Sequence, residues 1–302
     1  MHLKRAKKSS RIDPGVLPSG SAAREPAPFG PFGDEQCPKS FSTLRSAKER
    51  LYRVLMVIFG ILIWIAIGIL AAVLLNDPTK RQIVIIDAVY AVVILLFLWI
   101  SAAVYRATAF GNMLMLGPQQ FPDLYEAVVA ASRDIGLREP PKTFLYNSNG
   151  LFNAFARRLL GGRFVFLTSA LVDASSDPQV RFVMGHEVGH LAAGHLNLWM
   201  NAIKLPARLV PFLGRAYSRS RETTCDNIGA YLSGDFAGSR SALQMLGCGC
   251  RRLNETMNCE AFMAQEAMVP PIFGFLTEIF RNHPRLTRRV ANIKDYSALG
   301  RR

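Results

Sequence analysis

Residues 182–195 read Phe-Val-Met-Gly-His-Glu-Val-Gly-His-Leu-Ala-Ala-Gly-His, so His186 and His190 stand four residues apart with Glu187 directly after the first. On a helix, residues i and i+4 lie one turn apart on one face. Both imidazoles can therefore reach one metal ion, and zinc is the ion whose tetrahedral sites most often use such ligands. Glu187, beside the first ligand, is placed to act on a water held by that ion. Catalytic zinc needs three protein ligands and an open position. Candidates for the third are His195, His283, Glu222, Asp226 and the cysteines. His195 follows His190 by five residues, which on a continuous helix turns it well away from a metal held by the other two; as a polar residue at a helix end it needs no ligand role. Glu222 is better placed in principle, on a separate helix with Asp226 one turn further along the same face. A carboxylate there could complete the set, and a neighbouring Asp could accept the free N–H of a ligating histidine and fix its tautomer. The alternative is that both carboxylates simply pair with Arg219 and Arg221 on a solvated face.

The surrounding pattern shows what must position these groups. Asp177-Pro178-Gln179 opens the motif helix, with Asp177 as N-cap and Pro178 in the first turn, and the helix is expected to run to about Met200. Pro206 and Pro211 break the chain, and a further helix begins near Arg215. Upstream, Leu124, Val128, Ala131 and Ile135 are spaced for one face of an amphipathic helix over 120–137. Residues 142–146 and 163–168 are short aromatic and β-branched runs that read as strands. If 163–168 is the sheet edge facing the cleft, it can align a substrate as an added strand. Residues 239–252, 261–267 and 284–297 read as helices. The result is an α+β, mainly helical domain over 106–302 with a small sheet.

The N-terminal part has a different character. Half of the 302 residues are hydrophobic, and the excess is concentrated in 54–75 and 83–105. Each run is long enough to cross a bilayer as a helix, and Asn76 to Gln82 forms the turn of a hairpin over 53–105. Asp87, near the end of its span, suits the interface. Lys48, Arg50 and Arg53 before the first span favour a cytoplasmic N-terminus, and two spans return the rest of the chain to the same side. The expected location is the bacterial inner membrane, with the catalytic domain facing the cytoplasm. Residues 1–52 form a basic tail, without apolar periodicity up to about Lys39 and expected to be disordered. The net charge of +14 sits largely in this tail and the Arg-rich C-terminus. No nucleic-acid-binding motif accompanies it, so anionic lipid headgroups are the simpler partner and no nucleic acid is expected. Five cysteines with no even spacing fit a reducing compartment. Cys248, Cys250 and Cys259 match no zinc spacing.

His-Glu-x-x-His followed by Ser218-Arg219-x-Arg221-Glu222-x-x-x-Asp226 resembles the membrane-associated gluzincin family that includes the heat-shock protease HtpX and the CAAX prenyl endopeptidases. Asn153-Ala154-Phe155-Ala156, the run 164–171 and His283-Pro284 before an Arg-rich helix extend the resemblance over about 120–293. It implies one Zn2+ per chain, held by His186, His190 and Glu222, with Asp226 orienting His186 and Glu187 as general base. It further implies His283 as a donor to the oxyanion and Asn153, Ala154 and Phe155 as substrate-binding residues. Cys225 stands where the family usually has Ala. Family members also carry spans around the active site, whereas this chain has no run of spanning length after Tyr105, so its catalytic domain is expected outside the bilayer. The activity implied is hydrolysis of peptide bonds in a misfolded or membrane polypeptide. The rival reading is a non-catalytic membrane adaptor that keeps the metallopeptidase fold.

Overall fold

The computed structural model describes residues 40–296. A short helix, α1 (Ser40–Leu44), precedes two long ones, α2 (Ala47–Asn76) and α3 (Arg81–Asn112), joined by a turn in which Asp77 accepts hydrogen bonds from Thr79. Helix α2 starts before residue 53, because Ala47-Lys48-Glu49-Arg50-Leu51 is a run of strong helix formers. Both helices are long and apolar enough to cross a membrane, and the apolar window of α3 has none of its residues buried. Two core helices of a soluble protein would bury such side chains; here Phe97 and Leu95 face outward, as lipid-facing residues do.

Four strands follow in the spatial order β1 (Leu114–Met115), β2 (Lys142–Tyr146), β4 (Gly162–Thr168), β3 (Ala154–Leu159), with β2 and β4 parallel and the outer pairs antiparallel. The expectation that 163–168 forms the edge is corrected: β4 is internal and buried throughout Phe164 to Thr168, as a strand covered on both faces must be. The edge beside β4 is β3, joined to it by a turn at Leu160 and Gly161, both with positive φ. Its sequence, Ala-Phe-Ala-Arg-Arg-Leu, hides the strand because Arg157 and Arg158 break the apolar alternation. A helix, α4 (Pro122–Asp134), covers one face of the sheet, and Val128, Ile135, Leu145, Val165 and Leu167 join Met184 and Ile228 in the main core. On the other face Phe144, Phe164 and Phe166 stack beneath Tyr105 of α3.

After α5 (Ser169–Ala174) comes the motif helix, α6 (Asp177–Ala192). Its N-cap is Ser176 rather than Asp177, and the Ser176 N–H donates to Gln179 Oε1 at 2.9 Å. It ends at Ala192 rather than near Met200, because Gly194 takes φ +73° and turns the chain. The chain resumes as α7 (Leu198–Lys204), a 3₁₀ turn (Pro206–Leu209) and α8 (Leu213–Ser233). Helices α6 and α8 touch through glycines. A Cβ on Gly229 would lie 2.7 Å from the Phe182 carbonyl oxygen, and one on Gly185 would lie 3.1 Å from Gly229 Cα. That approach sets the histidines of α6 against the carboxylates of α8. The rest is helical: α9 (Phe236–Cys248), α10 (Arg251–Thr256), α11 (Cys259–Ala264), α12 (Pro271–Ile279) and α13 (Leu286–Asn292). Helix α2 packs on this domain. Gly60 leaves no room for a Cβ against the Ile203 carbonyl, and Trp64 Nε1 donates to Ala202 O at 3.0 Å.

Candidate active site

On α6, His186 and His190 present their Nε2 atoms towards Glu222 of α8, at 3.4 Å from Oε2 and 3.6 Å from Oε1 respectively. Ligands held about 2.0–2.1 Å from a zinc ion at the corners of a tetrahedron lie roughly 3.3–3.4 Å apart. The spacing of these donors therefore fits such an ion.

Both histidines are held from behind. His186 Nδ1 lies 2.9 Å from Asp226 Oδ1. An ionised carboxylate only accepts, so Nδ1 carries the proton and the Nε2 lone pair is free. Asp226 is itself clamped by Arg289 of α13, through Nε to Oδ2 at 2.9 Å and NH2 to Oδ1 at 2.7 Å. Behind His190 stands His195: their Nδ1 atoms are 3.0 Å apart, and His195 Nε2 is 3.2 Å from Glu49 Oε1. The helical projection that sent His195 elsewhere fails because the helix stops before it. Glu49, on α2, has no exposed surface and also accepts from Thr224 Oγ1 at 2.6 Å. The proton assignment follows from the acid. Glu49 accepts from His195 Nε2–H, the His195 Nδ1 then accepts from His190 Nδ1–H, and His190 Nε2 is left as a lone pair.

Without a metal ion, a proton takes the ion's place on His186 Nε2, facing Glu222. Burial works against a charged His186 ring, but its hydrogen bonds to Asp226 and Glu222 outweigh burial and lift its pKa to about 10. Burial, joined by His186, holds His190 well below the usual imidazole range, and burial holds His195 at about 4 despite Glu49. Burial raises the carboxyl of Glu187, opposed by His186 and by a backbone hydrogen bond with Ala156 of β3. Glu222 is driven well below the carboxylate range: burial opposes this, but hydrogen bonds with His186 and His283 prevail. A proton or a divalent cation is what two imidazole lone pairs and a carboxylate can share in this space.

A cleft of about 160 Å³ opens over the group, lined by Asn153, Ala154, Leu171, Leu243, Glu187 and His283 among others. His283 Nδ1 is 3.0 Å from Glu222 Oε2 on a largely exposed side chain. Phe155 is different. Alternation along β3 sends its ring to the opposite face of the sheet, stacked on Phe166 with centroids 4.9 Å apart, so only its backbone reaches the cleft. Cys225 also has a potential ligand atom within 4.8 Å of others on His186 and His190. Its sulfur, however, lies 3.6 Å from His195 Nδ1, behind His190, and burial pushes its thiol well above the usual range. The Glu222 carboxylate faces both Nε2 atoms.

The description "Peptidase family M48" belongs to a family model that matches residues 118–205 and 198–297, well over half of the chain. This chain belongs to peptidase family M48. Metallopeptidases of family M48 are zinc-dependent. The chain is 26% identical over 170 residues to the plastoglobule-localized metallopeptidase 48, chloroplastic, of Arabidopsis thaliana, a match covering 51% of this chain and 48% of that protein. The chain thus spans about half the length of the curated relative it matches. The crystal structure of S. mikatae Ste24p superposes with a TM-score of 0.47 at 16% identity, over 82% of this chain and 67% of that one.

The sequence reading singled out neither Glu49 nor Arg289 as part of the candidate site. Glu49 sits in a charged flank, Lys48-Glu49-Arg50, that reads as a solvated helix start, and Arg289 is one arginine in a basic cluster. The available signal for Arg289 was position: it follows Arg288 and precedes Val290, on the buried side of α13.

Proposed function

We propose that this M48 member is a membrane-anchored zinc endopeptidase, with His186, His190 and Glu222 as the metal ligands and Glu187 as the general base. The convergence of two Nε2 lone pairs and a carboxylate beside a buried acid carries the reading. Zinc bound there would lower the pKa of a coordinated water towards about 7 and polarise a scissile carbonyl. Glu187, whose proton affinity burial raises, takes the proton from the attacking water and returns it to the leaving amine. Asp226 and His195 hold the two imidazoles in the tautomers that leave Nε2 free. His283, which lines the cleft, would donate to the oxygen that gains charge. A substrate lies against edge strand β3 as an added strand, paired through main-chain groups near Asn153, Ala154 and Phe155, so selection by side chain is broad.

Residues 53–105 act as a two-span anchor, with 106–302 as the catalytic domain on the same side as the N-terminus, facing the cytoplasm. Misfolded membrane polypeptides are the substrate class such an anchor brings within reach, which makes quality control the biological role. Glu187→Gln should retain zinc and lose proteolysis of an unfolded polypeptide; equal activity in wild type and variant would defeat the protease reading. Protection of a C-terminal tag in sealed vesicles reads the orientation.

A further inference from the structure

One cavity lies away from the proposed zinc site. It encloses about 370 Å³, between α2, the 190–210 region and α8, and among its lining residues are Lys204, Arg208, Arg215 and Arg221, with Asn201 and Met56. That volume falls within the range of about 300–1,000 Å³ typical of small-molecule sites. Four cations converge there, and no Asp or Glu among the described residues lines it.

Two of the four are not casual surface charges. Lys204 is only 4% exposed, its ammonium donates to Tyr217 Oη at 2.9 Å, and burial with neighbouring Arg221 and Arg53 brings its pKa down to about 8. Arg221 lies over the Tyr217 ring at 5.7 Å, and its Nε, shut off from solvent, has no hydrogen-bond partner. A buried donor without an acceptor, among cations that repel one another, is an arrangement in which an anion relieves both costs.

The position of the cavity narrows the choice of anion. Met56 is the third residue of the apolar run that begins at Val54, and α7 and the 3₁₀ turn lie against the next turns of α2. Trp199, Leu205 and Leu209 on this segment are exposed, which is where interfacial aromatic and apolar residues sit when a chain rests at the level of the headgroups. The cavity therefore opens where lipid phosphates lie if α2 spans the bilayer.

We propose that this cavity is a phosphate-binding site filled by the headgroup of an anionic phospholipid, with Lys204, Arg208, Arg215 and Arg221 as its donors. Inorganic phosphate shares the chemistry, so the two sources must be separated. The site rests on the membrane-anchored reading of α2 and not on the zinc chemistry.

The test uses the full chain, stripped of lipid in detergent and followed by native mass spectrometry. Phosphatidylglycerol, phosphatidylcholine and inorganic phosphate are offered separately. The expected result is one phosphatidylglycerol retained at least about tenfold better than phosphatidylcholine, a preference that Arg208→Gln/Arg215→Gln and Lys204→Met both abolish. Two exposed arginines make the double variant safe to fold should loss of buried Lys204 unfold the chain. Retention of inorganic phosphate but not of phosphatidylglycerol would overturn the lipid assignment. Equal binding of both phospholipids, no binding of any probe, or unchanged binding by the double variant would overturn the site. Resistance of the wild-type chain to alkaline carbonate extraction reads the anchor separately, so an empty cavity in an extraction-resistant protein defeats the site while sparing the anchor.

Discussion

Replacing Glu49 by Gln tests whether the anchor helix takes part in the metal centre. Glu49 is buried without exposed surface, seated between His195 Nε2 at 3.2 Å and Thr224 Oγ1 at 2.6 Å, with Arg45 NH1 at 3.6 Å. Gln is nearly isosteric, so packing is kept. One of the two oxygens becomes an NH2, however, and a donor must now face either a ring N–H or a hydroxyl. If the amide nitrogen turns to His195, the His195 proton moves to Nδ1, and His190 must accept there. The proton of His190 is then forced to Nε2, the atom facing Glu222 at 3.6 Å. Loss of a group that orients a metal ligand typically costs about 10–100-fold in metal affinity, and a mispaired buried polar group costs about 1–3 kcal/mol of stability. The expected outcome for E49Q is zinc affinity reduced roughly 10–100-fold in competition with a chromophoric chelator, with the thermal midpoint lowered but unfolding still cooperative. Glu49→Asp, which restores the charge at a shorter reach, should recover part of the affinity. Wild-type zinc affinity in a folded E49Q protein would refute the chain of hydrogen bonds from α2 to His190.

Four further outcomes follow from the same geometry. Arg289→Leu strips the bidentate clamp from buried Asp226, and breaking such a pair should cost about 3–5 kcal/mol, read by chemical denaturation. Gly229→Ala drives a methyl towards the Phe182 carbonyl, and the overpacked α6–α8 contact should lose about 1–3 kcal/mol while loosening zinc. Hydrogen bonds from Arg285, Thr287 and Arg288 hold the Glu266 carboxyl at about 2 against an ordinary 4.5. That depression stabilises the fold above the ordinary value and is lost as pH falls from about 4.5 towards about 2. The gap in thermal midpoint between wild type and Glu266→Gln should therefore close across that window. His195→Asn should weaken zinc binding with little change in helix content, measured by chelator competition and circular dichroism.

The two-helix pattern of histidines and carboxylates was readable because helix periodicity alone places i and i+4 on one face, and α6 and α8 obey it over the residues concerned. What escaped depends on where elements stop. The contact of His195 with the back of His190 was not foreseen because Ala193 and Gly194 end the helix, so an angle computed for a continuous helix did not apply. The sheet edge was misassigned because β3 carries two arginines and was not read as a strand, which left β4 with one neighbour too few. Glu49 could not be found by spacing at all. It lies 146 residues from His195, and only tertiary packing of the first long helix against α8 brings the two together.

That packing has a geometric consequence. Glu49 precedes Val54 by only five residues, roughly 7.5 Å of helix, and α2 is bolted to α7 where Gly60 admits no side chain and Trp64 grips the Ala202 carbonyl. With α2 crossing a bilayer, the cleft cannot rise or sink relative to the lipid. If the cleft cuts peptide bonds as proposed, it would act as a fixed-height ruler, reaching bonds a set distance above the membrane surface whatever their sequence. Inserting one helical turn between Glu49 and Val54 would pull these two docking points out of register, so either the Glu49 contact with His195 or the Gly60–Trp64 contact with α7 would be lost.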